Sequence, residues 1–153
     1  MQLPKLERVE DLRSFIKESF DVELPVEGGW GESEEDPTLI PSSNPQMQLI
    51  FATIKANLLL NILQPKEQKF GGINLKEKER TKEGDLEIVT YVVQAIKEDE
   101  YAKLIDEYKA GYEREDFDLE AHFERRKRAT KNFELTSYFL IRPSEKLGNE
   151  RKL

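Results

Sequence analysis

Two stretches patterned for strands, residues 73–82 and 86–96, meet across Glu83-Gly84-Asp85. A glycine between acidic turn formers, flanked by such runs, is the pattern of a β-hairpin. A chain holding that pair has to build the rest of its fold around an antiparallel sheet. In the second run Ile88, Val92 and Ile96 face one way, and Val89, Tyr91, Val93 and Ala95 the other. Apolar residues on both faces place this strand centrally, covered on its two sides. Residues 133–141 supply a third strand, alternating Phe133, Leu135, Phe139 and Ile141 against Glu134, Thr136 and Tyr138.

Helical periodicity accounts for most of the remainder. Residues 7–20 carry Val9, Leu12, Phe15, Ile16 and Phe20 at three-and-four spacing. Asn44-Pro45 is a favourable cap with proline at the first helical position, and opens a segment through Ile50, Ile54, Leu58 and Ile62 that Pro65 stops. Apolar residues lie on most sides of it from 47 to 63, so it is read as the central core helix, with a buried strand over 49–54 as the alternative. Residues 97–112 form a helix whose inner face is Tyr101, Leu104, Ile105 and Tyr108. Residues 116–131 form another, with Asp116, Asp118 and Glu120 early and Arg125 to Arg128 late, complementing the helix dipole. Between the first two helices lie a short extended piece at 22–26, an irregular loop at 28–31, an acidic loop and a brief strand at 38–40. The expectation is an α+β fold: an antiparallel sheet built on a β-hairpin and a C-terminal strand, packed against about four helices. One domain covers 1–142, and 143–153 reads as a flexible C-terminal tail.

At 153 residues the chain is long enough for one core without a staple, and eight Phe and five Tyr help to fill it. It has no cysteine, which excludes disulfides, thiolate nucleophiles and cysteine-ligated metals. No stretch approaches the roughly 20 apolar residues needed to cross a bilayer, so a soluble, cytoplasmic protein without a membrane partner is expected. The charge is strongly skewed. Residues 1–40 hold eleven Asp or Glu against four Lys or Arg, which accounts for the whole net charge of −7. From Glu18 to Asp36 there are eight carboxylates and no basic residue. Such a surface repels nucleic acid and favours a basic protein partner or a cation.

Gly28-Gly29-Trp30-Gly31 puts the only tryptophan between glycines inside that acidic segment. On a mobile loop Trp30 would anchor an interface; the plainer reading is that it folds back onto the core. The glycines lack the spacing of a phosphate cradle. Glu32, Glu34, Glu35 and Asp36 gather enough oxygens for a hard cation but lack the spacing of a calcium loop, so they read as a solvated or partner-facing patch, with no metal. His122 lies four residues after Asp118 and four before Arg126. Such an Asp–His pair can serve as a general base, although helical charge patterning explains it equally. Alternation puts Glu77 and Glu79 on one strand face, where they are candidates for an acid and base pair unless the hairpin tip stands in solvent. The basic run Arg125 to Arg128 has no interleaved aromatic residues, which weighs against nucleic acid.

Two functions follow. The first is a small non-enzymatic binding protein whose acidic front, Trp30, Glu32, Glu34, Glu35 and Asp36, docks a basic partner, immunity- or inhibitor-like by analogy of composition alone. The alternative is a small hydrolase or lyase using Glu77, Glu79 and His122. No cofactor is expected in either case.

Overall fold

The computed structural model describes residues 3–142; the tail expected at 143–153 lies outside them. The elements run α1 (Leu12–Phe20), β1 (Glu27–Ser33), β2 (Asp36–Ile40), α2 (Pro45–Asn57) with a π-helical turn at Leu58–Ile62, a short turn of 3-10 helix, β3 (Phe70–Glu83), β4 (Leu86–Lys97), α3 (Glu98–Gly111), α4 (Leu119–Ala129) and β5 (Lys131–Ile141). The fold is α+β, with one five-stranded sheet in the order β1-β2-β5-β4-β3. Its pairs are antiparallel except β2 with β5, which run parallel. The sheet is therefore mixed. β5 closes it by inserting between the two hairpins, a placement set by long-range packing that no local pattern encodes. Among the described residues no helix is long and apolar enough to cross a membrane.

Asn44 caps α2 by accepting from the Met47 N–H at 3.1 Å, with Pro45 entering the first turn. The segment over 49–54 is helical, and Phe51, Ala52 and Ala56 are fully buried against the sheet. The inner faces of β4 and β5 meet it through Val89, Tyr91, Val93, Leu135 and Phe139. On the outer face Leu86 and Ile96 near the strand ends are buried, Ile88 and Val92 between them are half-buried and Gln94 is exposed, so β4 is central and covered on both sides, more completely on the inner one.

Residues 28–31 are not an irregular loop. They lie in the edge strand β1, and Trp30 is 1% exposed. Its ring stacks on Phe51 at 5.7 Å and meets Phe15 edge-on at 5.7 Å, while its Nε1–H donates to the Glu7 carbonyl. The glycines let a strand pass where side chains would not fit. Gly31 has φ +74, and a Cβ there would lie 2.6 Å from the Tyr138 carbonyl oxygen. Tertiary packing of one aromatic ring has overridden the local preference for a loop.

Candidate functional site

The acidic segment folds into the β1–β2 hairpin. Ser33 pairs with Asp36, leaving Glu34 and Glu35 exposed at the tip. Asp36 is tied by Arg8, whose guanidinium lies 2.9 Å from its carboxylate. Glu32 points the other way, with 12% of its side chain exposed, and reaches Lys55 on α2 at 3.3 Å. The four acidic candidates thus divide into two free charges, one tethered charge and one that is largely buried.

Lys55 was not singled out by the sequence, yet it is one of two side chains of ordinarily charged type that are wholly buried among the described residues, Glu87 being the other. Fully buried, it donates from Nζ to Ser137 Oγ at 3.1 Å as well as pairing with Glu32. Burial pushes its pKa down, opposed by the Glu32 carboxylate beside it. A lysine with a lowered pKa next to a serine hydroxyl has the composition of a nucleophile and its base. Ser137, however, is wholly buried on the inner face, and a hydroxyl that no substrate can reach is no nucleophile. The trio fastens β1, α2 and β5 together.

A cleft of about 290 Å³ opens beside it, lined by Leu3, Lys5, Glu32, Glu134, Thr136 and Tyr138. It lies between the hairpin and the N-terminal segment, with β5 as its floor. Glu134 is ion-paired with Lys78 across the outer face of the sheet. The cleft joins residues from three distant parts of the chain, and only Glu32 among them stood out in the sequence.

The enzyme candidates do not assemble. The register of β3 against β4 shifts between Glu77 and Glu79, which lie opposite the successive residues Tyr91 and Thr90. That bulge sends the two carboxylates to opposite faces of the sheet, correcting the shared face expected from simple alternation. Glu77 is ion-paired to Arg80, and both Glu77 and Glu79 are exposed. His122 is buried between α3 and α4, its Nδ1 3.4 Å from Glu107 and its ring against Tyr108, Phe117 and Phe123. Asp118 is not its partner; it caps α4 by accepting from the Ala121 N–H. Trp30 lines none of these places, being packed in the core. Among the described residues no three of His, Asp and Glu converge in a set able to hold a metal ion.

A second buried network lies under the start of α2. Glu87, fully buried, accepts at Oε1 from Gln48 at 2.9 Å, Ser43 at 3.0 Å and Arg80 at 2.9 Å, with Lys82 3.1 Å from Oε2. These partners explain how a charge survives inside the fold. Nearby, burial raises the Tyr91 phenol pKa. The chain matches no family model, no curated protein and no solved structure.

Proposed function

We propose that the protein is a non-enzymatic binding protein that docks a basic protein partner through the acidic surface of the β1–β2 hairpin. This reading rests chiefly on the hairpin tip, where Glu34 and Glu35 stand exposed beside a cleft that contains Glu32. Glu18, Glu23 and Glu27 are exposed in the same acidic segment, which has no basic residue of its own. Carboxylates gathered in this way steer and orient a cationic partner. Trp30, buried beneath the hairpin, supports its shape and takes no direct part in docking.

The test uses a labelled oligolysine peptide, titrated at low and high salt against the native chain, a Glu34→Lys, Glu35→Lys variant and a Glu113→Lys, Glu115→Lys control of equal charge change. All four sites are exposed. Reversal at the hairpin should weaken binding by about tenfold more than the control, with the difference shrinking as salt screens it. Equal losses in the two variants would reduce the effect to net charge and remove the hairpin as the docking surface.

A further inference from the structure

Where α4 runs into β5, a groove of about 360 Å³ opens between the helix and the outer face of the sheet, lined by Gln94, Phe123, Arg126, Lys127, Thr130 and Asn132. No carboxylate lines it, in a chain whose net charge is −7. Arg126 and Lys127 have no ion-pair partner among the described residues. The Arg126 guanidinium lies 5.8 Å from the centroid of the Tyr101 ring, a contact that takes up none of its N–H donors. Glu134, next on this face of β5, is ion-paired with Lys78. Complementing the helix dipole explains basic residues at this end of α4, but not the rest of the lining.

The floor of the groove belongs to a row of carboxamides. Gln94 on β4 stands opposite Asn74 on β3 and Asn132 on β5. All three are exposed, and none makes a side-chain hydrogen bond to a described residue. Directly opposed residues have Cβ atoms about 4.5–5.5 Å apart, and each carboxamide offers both a donor and an acceptor. Phe123 forms the wall, 52% exposed. Arg126 and Lys127 follow it by three and four residues, and so stand beside it one helical turn on. The basic run 125–128 contains no aromatic residue; the fold supplies one from the preceding turn and the carboxamides from the sheet.

An aromatic ring, a row of donors and acceptors and two cations a turn away are the groups that meet the face of a base, its edge and its phosphate. We propose that this groove binds a nucleotide, with the base stacked on Phe123, its edge hydrogen-bonded by Gln94 and Asn132, and the phosphate held by Arg126 and Lys127. Adenine is the base whose adjacent donor and acceptor a carboxamide matches at once. The site shares no residue with the acidic hairpin and does not depend on docking there. A free nucleotide and one unit of a single strand present the same chemistry, and the experiment separates them.

Labelled adenosine monophosphate is titrated against the full chain by fluorescence anisotropy, with adenosine, ribose 5-phosphate and a short adenine strand as competitors. Unlabelled adenosine monophosphate should compete at least tenfold better than adenosine or ribose 5-phosphate, each of which lacks one set of contacts. Phe123→Leu should weaken binding about tenfold, the loss of one stacked base. Lys127→Gln should weaken it and flatten its salt dependence, whereas Lys109→Gln, which removes an exposed cation of α3, should leave it unchanged. No binding to the native chain, equal competition by ribose 5-phosphate, unchanged affinity in Phe123→Leu or equal losses in the two lysine variants would each overturn the proposal. A strand that competes far better than the monomer identifies the ligand as single-stranded nucleic acid, and one no better per base identifies it as the free nucleotide; both uphold the site.

Discussion

Lys55 Nζ lies 3.1 Å from Ser137 Oγ, a contact spanning 82 residues of sequence that joins the middle of α2 to the middle of β5. It carries a positive charge into a region otherwise filled by Phe51, Leu135 and Phe139. Desolvation of that charge is costly, and Glu32 offsets it from the neighbouring edge strand. The hairpin that bears the acidic tip is thereby fixed against the core by an ion pair as well as by the Trp30 ring.

Removing one partner of this pair should cost more than removing both. Glu32→Gln leaves buried Lys55 without the carboxylate that opposes the downward shift of its pKa, so the amine must lose its proton or stay charged and unpaired, and stability is expected to fall by up to about 3–5 kcal/mol. Lys55→Met should cost less, since Glu32 borders the cleft and can regain water. The double variant should be more stable than Glu32→Gln alone. Urea unfolding of the three variants and the native chain completes a double-mutant cycle; additive costs would show that the pair is not coupled.

Two glycines in the left-handed region separate strain from crowding. Gly84 has φ +63 with nothing within 4 Å of an added Cβ, whereas Gly31 has φ +74 and a Cβ there would lie 2.6 Å from a backbone oxygen of β5. Gly84→Ala should cost about 1–2 kcal/mol, the conformational term alone. Gly31→Ala should cost clearly more, because the backbone it strikes cannot rotate aside, and it should also loosen the hairpin around Trp30. Thermal unfolding compares the two, and tryptophan emission reports the second effect: a red shift is expected for Gly31→Ala and none for Gly84→Ala. Equal costs would mean that the close approach of β1 to β5 is not as tight as described.

The legible parts of this fold were those governed by local rules. The β3–β4 hairpin, the Asn44 cap of α2 and the alternation of β5 were readable because period and capping are set within a few residues. β1 was not, because its glycines signal a loop and only the rings of Phe15 and Phe51 above it make a strand the better solution. Glu77 and Glu79 were misassigned to one face because alternation assumes an unbroken ladder, and the bulge between them breaks it. Lys55 did carry a signal, as the sole basic residue between 47 and 63 in a run apolar on most sides. The cleft carried none, since residues 3–5, 32 and 134–138 come together only when β5 inserts between the hairpins. The acidic front itself was plain from composition, but composition did not show that its charges divide between the exposed tip and the buried pair.

Acid should unfold this protein in part through Glu87. Burial pushes its carboxyl pKa up, yet hydrogen bonds from Gln48 and Ser43 and the Lys82 ammonium outweigh that and hold it below the ordinary value of 4.5. A carboxyl whose folded pKa is lowered contributes stability that is fully present above its unfolded value and is lost as pH falls through the folded one. The contribution should therefore be complete at neutral pH and decline below about 4.5. Glu87→Gln cannot titrate. At neutral pH it should be the less stable protein, since Lys82 loses its counter-charge and Arg80 one of its two, and on acidification its stability should fall less steeply than that of the native chain. The slopes should differ by up to about 1.4 kcal/mol per pH unit, the limit for one proton. Urea unfolding of both proteins from pH 7 to pH 3 measures the difference between the slopes, in which the contributions of the other carboxylates cancel. Parallel curves would show that the network does not hold Glu87 charged in the folded state.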